Sequence, residues 1–268
     1  MRFEQVLVTP SLAERYLKRN SVNRNISQSV VDRYARDMRN GRWEQNGDVI
    51  RFDASGSLRD GQHRLTAIVQ SGETIKLNVV RGIDASGHID SGYKRTDVHN
   101  YQIKYNDRTY TAQVEAILNL LTKASSVASK LTLSEKRIAH DYYRREIDEV
   151  LSIPNVSNTN AILKTALVIA KKYHSIPHMA AERFVYIFNS GFANDETEYA
   201  AIACRNDWQK NRQIYGTGST ARREALNIAI SCVLAFTKGQ IAKRLPKTVD
   251  YDYSDVREVL RCTTGTGL

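Results

Sequence analysis

Two textures of hydrophobic and polar positions follow one another along this chain. Up to about residue 105 the apolar runs are short and change period. Gln5-Val-Leu-Val-Thr9 reads as a strand, and Pro10-Ser11 opens a helix to about Lys18. Val30, Val31, Tyr34 and Met38 recur at helical spacing between Gln28 and Asn40, with Ser27 at the N-cap position and Gly41 just past the end. Val49 to Phe52 alternates as a strand, Asp53-Ala-Ser-Gly56 makes a turn, and a short return strand through Leu58 leads into Asp60-Gly61. A helix follows from about His63 to Gln70, stopped by Ser71-Gly72. Thr74 to Arg81 is the clearest strand in the chain.

After Tyr110 the pattern turns helical throughout. Helical periodicity spans Ala112 to Lys123, Leu133 to Ile147, Asn160 to Tyr173, Ala180 to Phe188, Glu196 to Gln209 and Ala221 to Phe236. Polar or glycine-containing breaks fall at Pro154-Asn155, Gly191 to Asp195 and Tyr215 to Ser219. The expected fold class is therefore α+β. A small α+β domain over residues 1–107 precedes an all-α helical domain over residues 108–268, with disorder expected after Thr263. At 268 residues and 41% hydrophobic content the chain is long enough for two cores.

No apolar run approaches the roughly 20 residues that span a bilayer. The N-terminus carries Glu4 and no apolar stretch of signal-peptide length. A cytoplasmic protein with no membrane partner is the expectation. Cys204, Cys232 and Cys262 lie far apart and form no C-x-x-C pair, which points to buried free thiols rather than a zinc site or disulfide framework. The net charge is +10. It is spread along the chain: 17 Lys/Arg face 13 Asp/Glu up to Asp107, and 22 face 16 beyond it. Such an excess favours polyanion partners through counterion release, nucleic acid being the commonest.

The candidate chemistry lies where the hairpin Ile50 to Asp60 delivers Gly61 to the first turn of a helix. A glycine there lets backbone approach a ligand closely. The N–H groups of Gln62, His63 and Arg64 then converge near the positive end of the helix dipole, which is the known physics of phosphate binding. Arg64 adds a forked, permanent cation. Asp60 has two readings, helix cap or functional carboxylate. Asp48, Asp53 and His63 become metal ligands only if the fold brings them together, so no metal ligand is assigned.

Gly61-Gln-His-Arg-Leu-Thr-Ala67 resembles the G-x-x-R-x-x-A signature of ParB-type partition proteins, and its D-G-x-H-R form is similar to ParB-fold serine kinases and to the DGQHR-type proteins of bacteria and phages. Sulfiredoxin has G-C-H-R at this turn. Gln62 stands where its catalytic cysteine would be, so sulfiredoxin chemistry is not expected. The blocks Asn25 to Asn46-Gly47 and Asp90 to Thr96 resemble phage-type members, and the likeness covers roughly residues 5 to 100.

The resemblance implies a ParB/sulfiredoxin-like N-terminal domain in a phage or mobile-element protein, acting in the host cytoplasm. It would bind a nucleoside triphosphate with Mg2+, or a nucleic-acid phosphate, at Gly61, Gln62, His63 and Arg64. Asn46, Arg51, Lys94 and Arg95 are expected nearby. Read as an enzyme, a nucleotide hydrolase, phosphotransferase or metal-dependent nuclease, the chain would use Asp60 as base or metal ligand, His63 as polariser and Arg64 as stabiliser of phosphate charge. A non-catalytic adaptor that has kept only the fold is the third alternative.

In the helical half Arg205, Lys210, Arg212, Arg222 and Arg223 bracket the loop Gly216 to Ser219, interleaved with Trp208 and Tyr215. Cations among aromatics suit a DNA surface. A solvated helix face with a flexible connector is the plainer account. Nucleotide identity and homo-oligomer formation stay open at this level.

Overall fold

The computed structural model describes residues 1–20, 25–45, 47–84, 96–126, 130–216, 218–248, 252–254 and 257–259. The chain divides into two compact units between Arg95 and Thr96. The first is α+β and the second is built from helices, so the fold is mixed α+β.

Four strands make the sheet of the first unit: β1 (Arg2–Val8), β2 (Val49–Asp53), β3 (Leu58–Asp60) and β4 (Ile75–Ile83). Their order is β1-β4-β2-β3. β4 runs antiparallel to β1 and parallel to β2, and β2 and β3 form an antiparallel hairpin. The register shifts between Arg51 and Phe52, which pair with Asp60 and Leu58 and leave Arg59 as the extra residue. This bulge keeps Leu58 buried beside Phe52 and sets Asp60 beside Arg51 at the end of the strand.

Three helices pack against the sheet: α1 (Pro10–Leu17), α2 (Gln28–Arg39) and α3 (Gln62–Ser71). Pro10 starts α1 as the sequence predicts, while Thr9, expected in the strand, instead caps the helix, its hydroxyl accepting from the Leu12 N–H at 3.2 Å. Gly41, with φ +62°, ends α2: its N–H donates to Met38 O at 3.1 Å, and the Arg42 N–H donates to Asp37 O at 2.8 Å. Val31, Ala35 and Met38 of α2 and Leu65 and Ile68 of α3 close over Val8, Ile50, Phe52, Leu77 and Val79 of the sheet. One core results, on one face of the sheet.

The second unit contains, among the described residues, α4 (Asp97–Tyr105), α5 (Ala112–Ser125), α6 (Leu133–Leu151), α7 (Ala161–His174), α8 (His178–Ser190), α9 (Tyr199–Tyr215) and α10 (Ser219–Thr237), and no strand. Helix α7 is buried on every side from Ile162 to Lys171, as befits a central helix, and packs against α5, α6 and α10. Helix α4 was not predicted from its weak pattern. Thr96 caps it and Tyr101 anchors it among the helices, stacked on Tyr110 with ring centroids 3.7 Å apart. Helix α9 runs to Tyr215, beyond the predicted Gln209, because Tyr215 is itself buried. No helix of the described residues is long and apolar enough to cross a membrane. Cys204 and Cys232 are buried free thiols, as expected, and Cys262 lies outside the described residues.

Candidate phosphate-binding site

Gly61 occupies the N-cap position of α3 with φ +103°, and no side chain caps this helix end. The first intrahelical bond is from the Leu65 N–H to Gly61 O at 3.0 Å, which places the backbone N–H groups of Gln62, His63 and Arg64 in the first turn, at the positive end of the helix dipole. A pocket of about 320 Å³ opens here, lined by Asn25, Ser27, Val30, Tyr34, Asp48, Asp60, Gly61, His63 and Arg64. It gathers residues from α2, the approach to β2, the end of β3 and the start of α3.

Arg64 is the central charge of the pocket, although only 8% exposed. Its Nη2 donates to Val49 O and to Asp60 Oδ2, each at 3.2 Å. Its Nη1 lies 3.5 Å from Asp48 Oδ2 and, among the described residues, is buried without a hydrogen-bond partner. An arginine held by backbone and two carboxylates, yet with one nitrogen that makes no hydrogen bond to the described residues, is oriented in advance for another acceptor. Arg51 approaches Asp60 from the sheet, Nη1 to Oδ2 at 3.6 Å, but does not line the pocket.

Asp60 therefore serves Arg64 and Arg51, and it does not cap α3. Gln62 is 5% exposed, and its Oε1 accepts from Asn20 Nδ2 at 3.0 Å, so its side chain ties α3 to the end of the α1 segment. His63 lines the pocket, and its Nε2 accepts from the Ser27 N–H at 3.0 Å. Ser27 stands at the N-cap of α2 as predicted, but its hydroxyl meets Ser29 and makes no cap bond.

The conditional metal set does not assemble. Asp53 faces its own turn, accepting from Ser55 Oγ at 2.6 Å, the Ser57 N–H at 2.9 Å and Arg59 Nε at 2.7 Å. The Ser55 hydrogen bond leads in holding that carboxyl down at about 2, with Ser57 and Arg59 acting in the same sense. Among the described residues no group of three or more His, Cys, Asp or Glu is placed to hold a metal ion. Asn46, Asp90, Lys94 and Arg95 lie outside the described residues.

Of the cations named in the helical half, Arg212 and Arg222 line one cavity, together with Trp208 and Tyr215. Arg205 bonds the Gln209 amide, Arg223 sits over the Tyr253 ring at 5.3 Å, and Lys210 is exposed. Sequence reading passed over Val30 as a pocket residue and Lys123 of the second cavity. Helical spacing alone marks Val30 for the core, and nothing local ties α5 to α9. Comparison with protein-family models, with curated proteins and with solved structures found no match to this chain.

Proposed function

We propose that this is a nucleotide-binding, DNA-associated protein of the ParB-like kind, with the phosphate at the N-terminus of α3. The observation that carries this reading is the buried Nη1 of Arg64, which makes no hydrogen bond to the described residues, set at the N-terminus of α3 where no side chain caps the helix. Phosphate oxygens are the acceptors that such a set of fixed donors recognises. The basic charge of +10 supports a nucleic-acid partner by the same electrostatics.

Asp48 and Asp60 on the pocket wall would repel a bare triphosphate, and they suit one that arrives with magnesium. Their oxygens would meet the ion's coordinated water while Arg64 and the helix N-terminus meet the phosphate. The ion itself would supply charge neutralisation. Asp60 also motivates a second reading, phosphoryl transfer or phosphodiester hydrolysis, because a carboxylate lines the same pocket as the donors.

The test is thermal and calorimetric binding of ATP, CTP, GTP and UTP, each with magnesium, and of short DNA, to wild type and Arg64→Ala. A nucleotide at about one hundred times its Kd adds roughly 2.7 kcal/mol to the folded state. A shift with a nucleotide that disappears in Arg64→Ala is the expected result. Turnover lost in Asp60→Asn, with binding kept, selects the enzyme. A flat response to every nucleotide and to DNA overturns both and leaves an adaptor.

A further inference from the structure

Within the second unit, helices α5, α7, α9 and α10 surround a cavity of about 380 Å³. Its apolar wall includes Leu120, Ile162, Trp208 and Tyr215. The two rings lie nearly parallel, at 22°, with centroids 6.1 Å apart. Tyr215 is fixed by its hydroxyl, which donates to Asp207 Oδ2 at 2.7 Å, whereas Trp208 is only half-buried.

Three cations border this wall: Lys123 from α5, Arg212 from α9 and Arg222 from α10. Among the described residues Lys123 and Arg212 have no protein partner, and Arg222 donates to Gly216 O at 3.0 Å. None of the described lining residues is acidic. Two amides complete the lining. Asn160 Oδ1 is taken by the Leu163 N–H at 2.8 Å, and among the described residues its NH2 has no acceptor. Asn119 Nδ2 donates to Glu115 at 3.2 Å, and among the described residues no donor meets its oxygen.

We propose that this cavity receives an unpaired nucleobase of single-stranded nucleic acid, with the adjoining phosphates on Lys123, Arg212 and Arg222. A planar ring offers stacking to any base, one amide donor and one amide acceptor match the mixed polarity of a base edge, and the volume lies in the range that holds small planar ligands. Cations from three helices exceed what a single phosphate needs, which favours a strand over a free nucleotide. An acidic peptide would use the cations but has no call on the ring and the two amides together. The inference rests on the DNA-associated reading for its choice of polymer, and it does not depend on the α3 pocket.

The sequence has two tryptophans, Trp43 and Trp208, so Trp43→Phe leaves Trp208 as the sole indole reporter. Full-length Trp43→Phe is titrated at low salt with oligothymidylate, thymidine monophosphate, a duplex of equal length and an acidic peptide. Anisotropy of a labelled oligothymidylate on the wild-type background gives the same affinity should Trp43→Phe fold poorly. Saturable quenching of Trp208 by the oligonucleotide is expected, weaker with the monophosphate. Lys123→Glu/Arg212→Glu should weaken oligonucleotide binding on the order of tenfold or more, as should Trp208→Ala on wild type. Magnesium-nucleotide melting shifts at the α3 pocket should be unchanged in these variants.

An oligonucleotide affinity that survives both sets of substitutions overturns the proposal, as does equal quenching by the acidic peptide. Duplex binding without any change at Trp208 overturns it too, while leaving the DNA-associated reading intact. Loss of the nucleotide shift in wild type, with Trp208 still quenched, overturns the α3 pocket alone.

Discussion

A β-carbon placed on Gly61 would stand 2.3 Å from Cδ1 of Ile50. The same glycine holds φ +103°, so the chain enters α3 through a position closed to other residues on two independent grounds. Its closeness to β2 seats the helix N-terminus against the sheet, where the pocket opens.

Gly61→Ala should destabilise the first unit by about 2–5 kcal/mol, combining strained backbone and steric overlap. Ile50→Val removes the overlapping methyl at about 0.5–1.5 kcal/mol on its own. In the double variant the two losses should fall short of their sum by about 1 kcal/mol or more. Urea unfolding of the four proteins measures this, and strict additivity would show that the clash is relieved some other way.

Arg64→Ala and Arg64→Lys should separate charge from shape. Alanine leaves Val49 O without the donor that holds it and Asp60 with only Arg51, a loss of about 1–2 kcal/mol given the exposure of Asp60. Lysine keeps the charge but cannot reach Val49 O, Asp60 and a ligand with one planar fork. Nucleotide affinity should fall about tenfold or more in alanine, with lysine between alanine and wild type. A lysine variant indistinguishable from wild type by calorimetry would mean that the fork is irrelevant.

In the helical unit Lys136 is 1% exposed and donates to Asp97 Oδ2 at 2.8 Å and to Glu115 Oε1 at 2.7 Å. Lys136→Met should cost about 3–5 kcal/mol, because two carboxylates lose their shared cation. Adding Glu115→Gln should restore part of that stability by removing one uncompensated charge. Denaturant midpoints report both effects, and a further loss in the double variant would contradict the electrostatic explanation.

Acid should weaken the helical unit in two stages. Burial holds the His140 imidazole below its usual 6.5, and the nearby Arg144 charge acts in the same direction. A histidine kept neutral on folding contributes full stability above pH 6.5, and that contribution declines as the pH falls below it, by at most about 1.36 kcal/mol per pH unit. Asp97 and Asp107 titrate lower, at about 2. Burial pushes both carboxyls up, but Lys136 and Lys130 outweigh it at Asp97, and Thr109 and Arg144 outweigh it at Asp107. Their stabilisation is complete above 3.8 and is lost as the pH falls toward about 2. Unfolding midpoints between pH 8 and 2 should show the first decline vanish in His140→Gln and the second shrink in Asp107→Asn. A wild-type midpoint that is level from pH 6.5 to 4 would refute the first stage.

Local pattern alone accounted for most elements of this chain. Alternation marked β2, helical spacing marked α2, α5, α7 and α10, and Gly41 and Pro10 marked ends that the backbone does form. These signals act between neighbours in sequence, through backbone sterics and the period with which side chains meet one face. Helix α4 escaped because nine residues with an exposed Ile103 carry little periodicity, and only burial of Tyr101 against Tyr110 explains its place. Gly61 and Arg64 were legible as a motif. What each partner does was not: Asp60 turns out to hold Arg64 rather than cap α3, Gln62 reaches back to Asn20, and Asp53 serves its own turn. The membership of the pocket, Ser27 on His63 and Asp48 beside Arg64, was decided only when the chain closed on itself. The physical reason is that hydrogen bonds and ion pairs depend on distance in space, which spacing along the sequence constrains within an element and leaves open between elements.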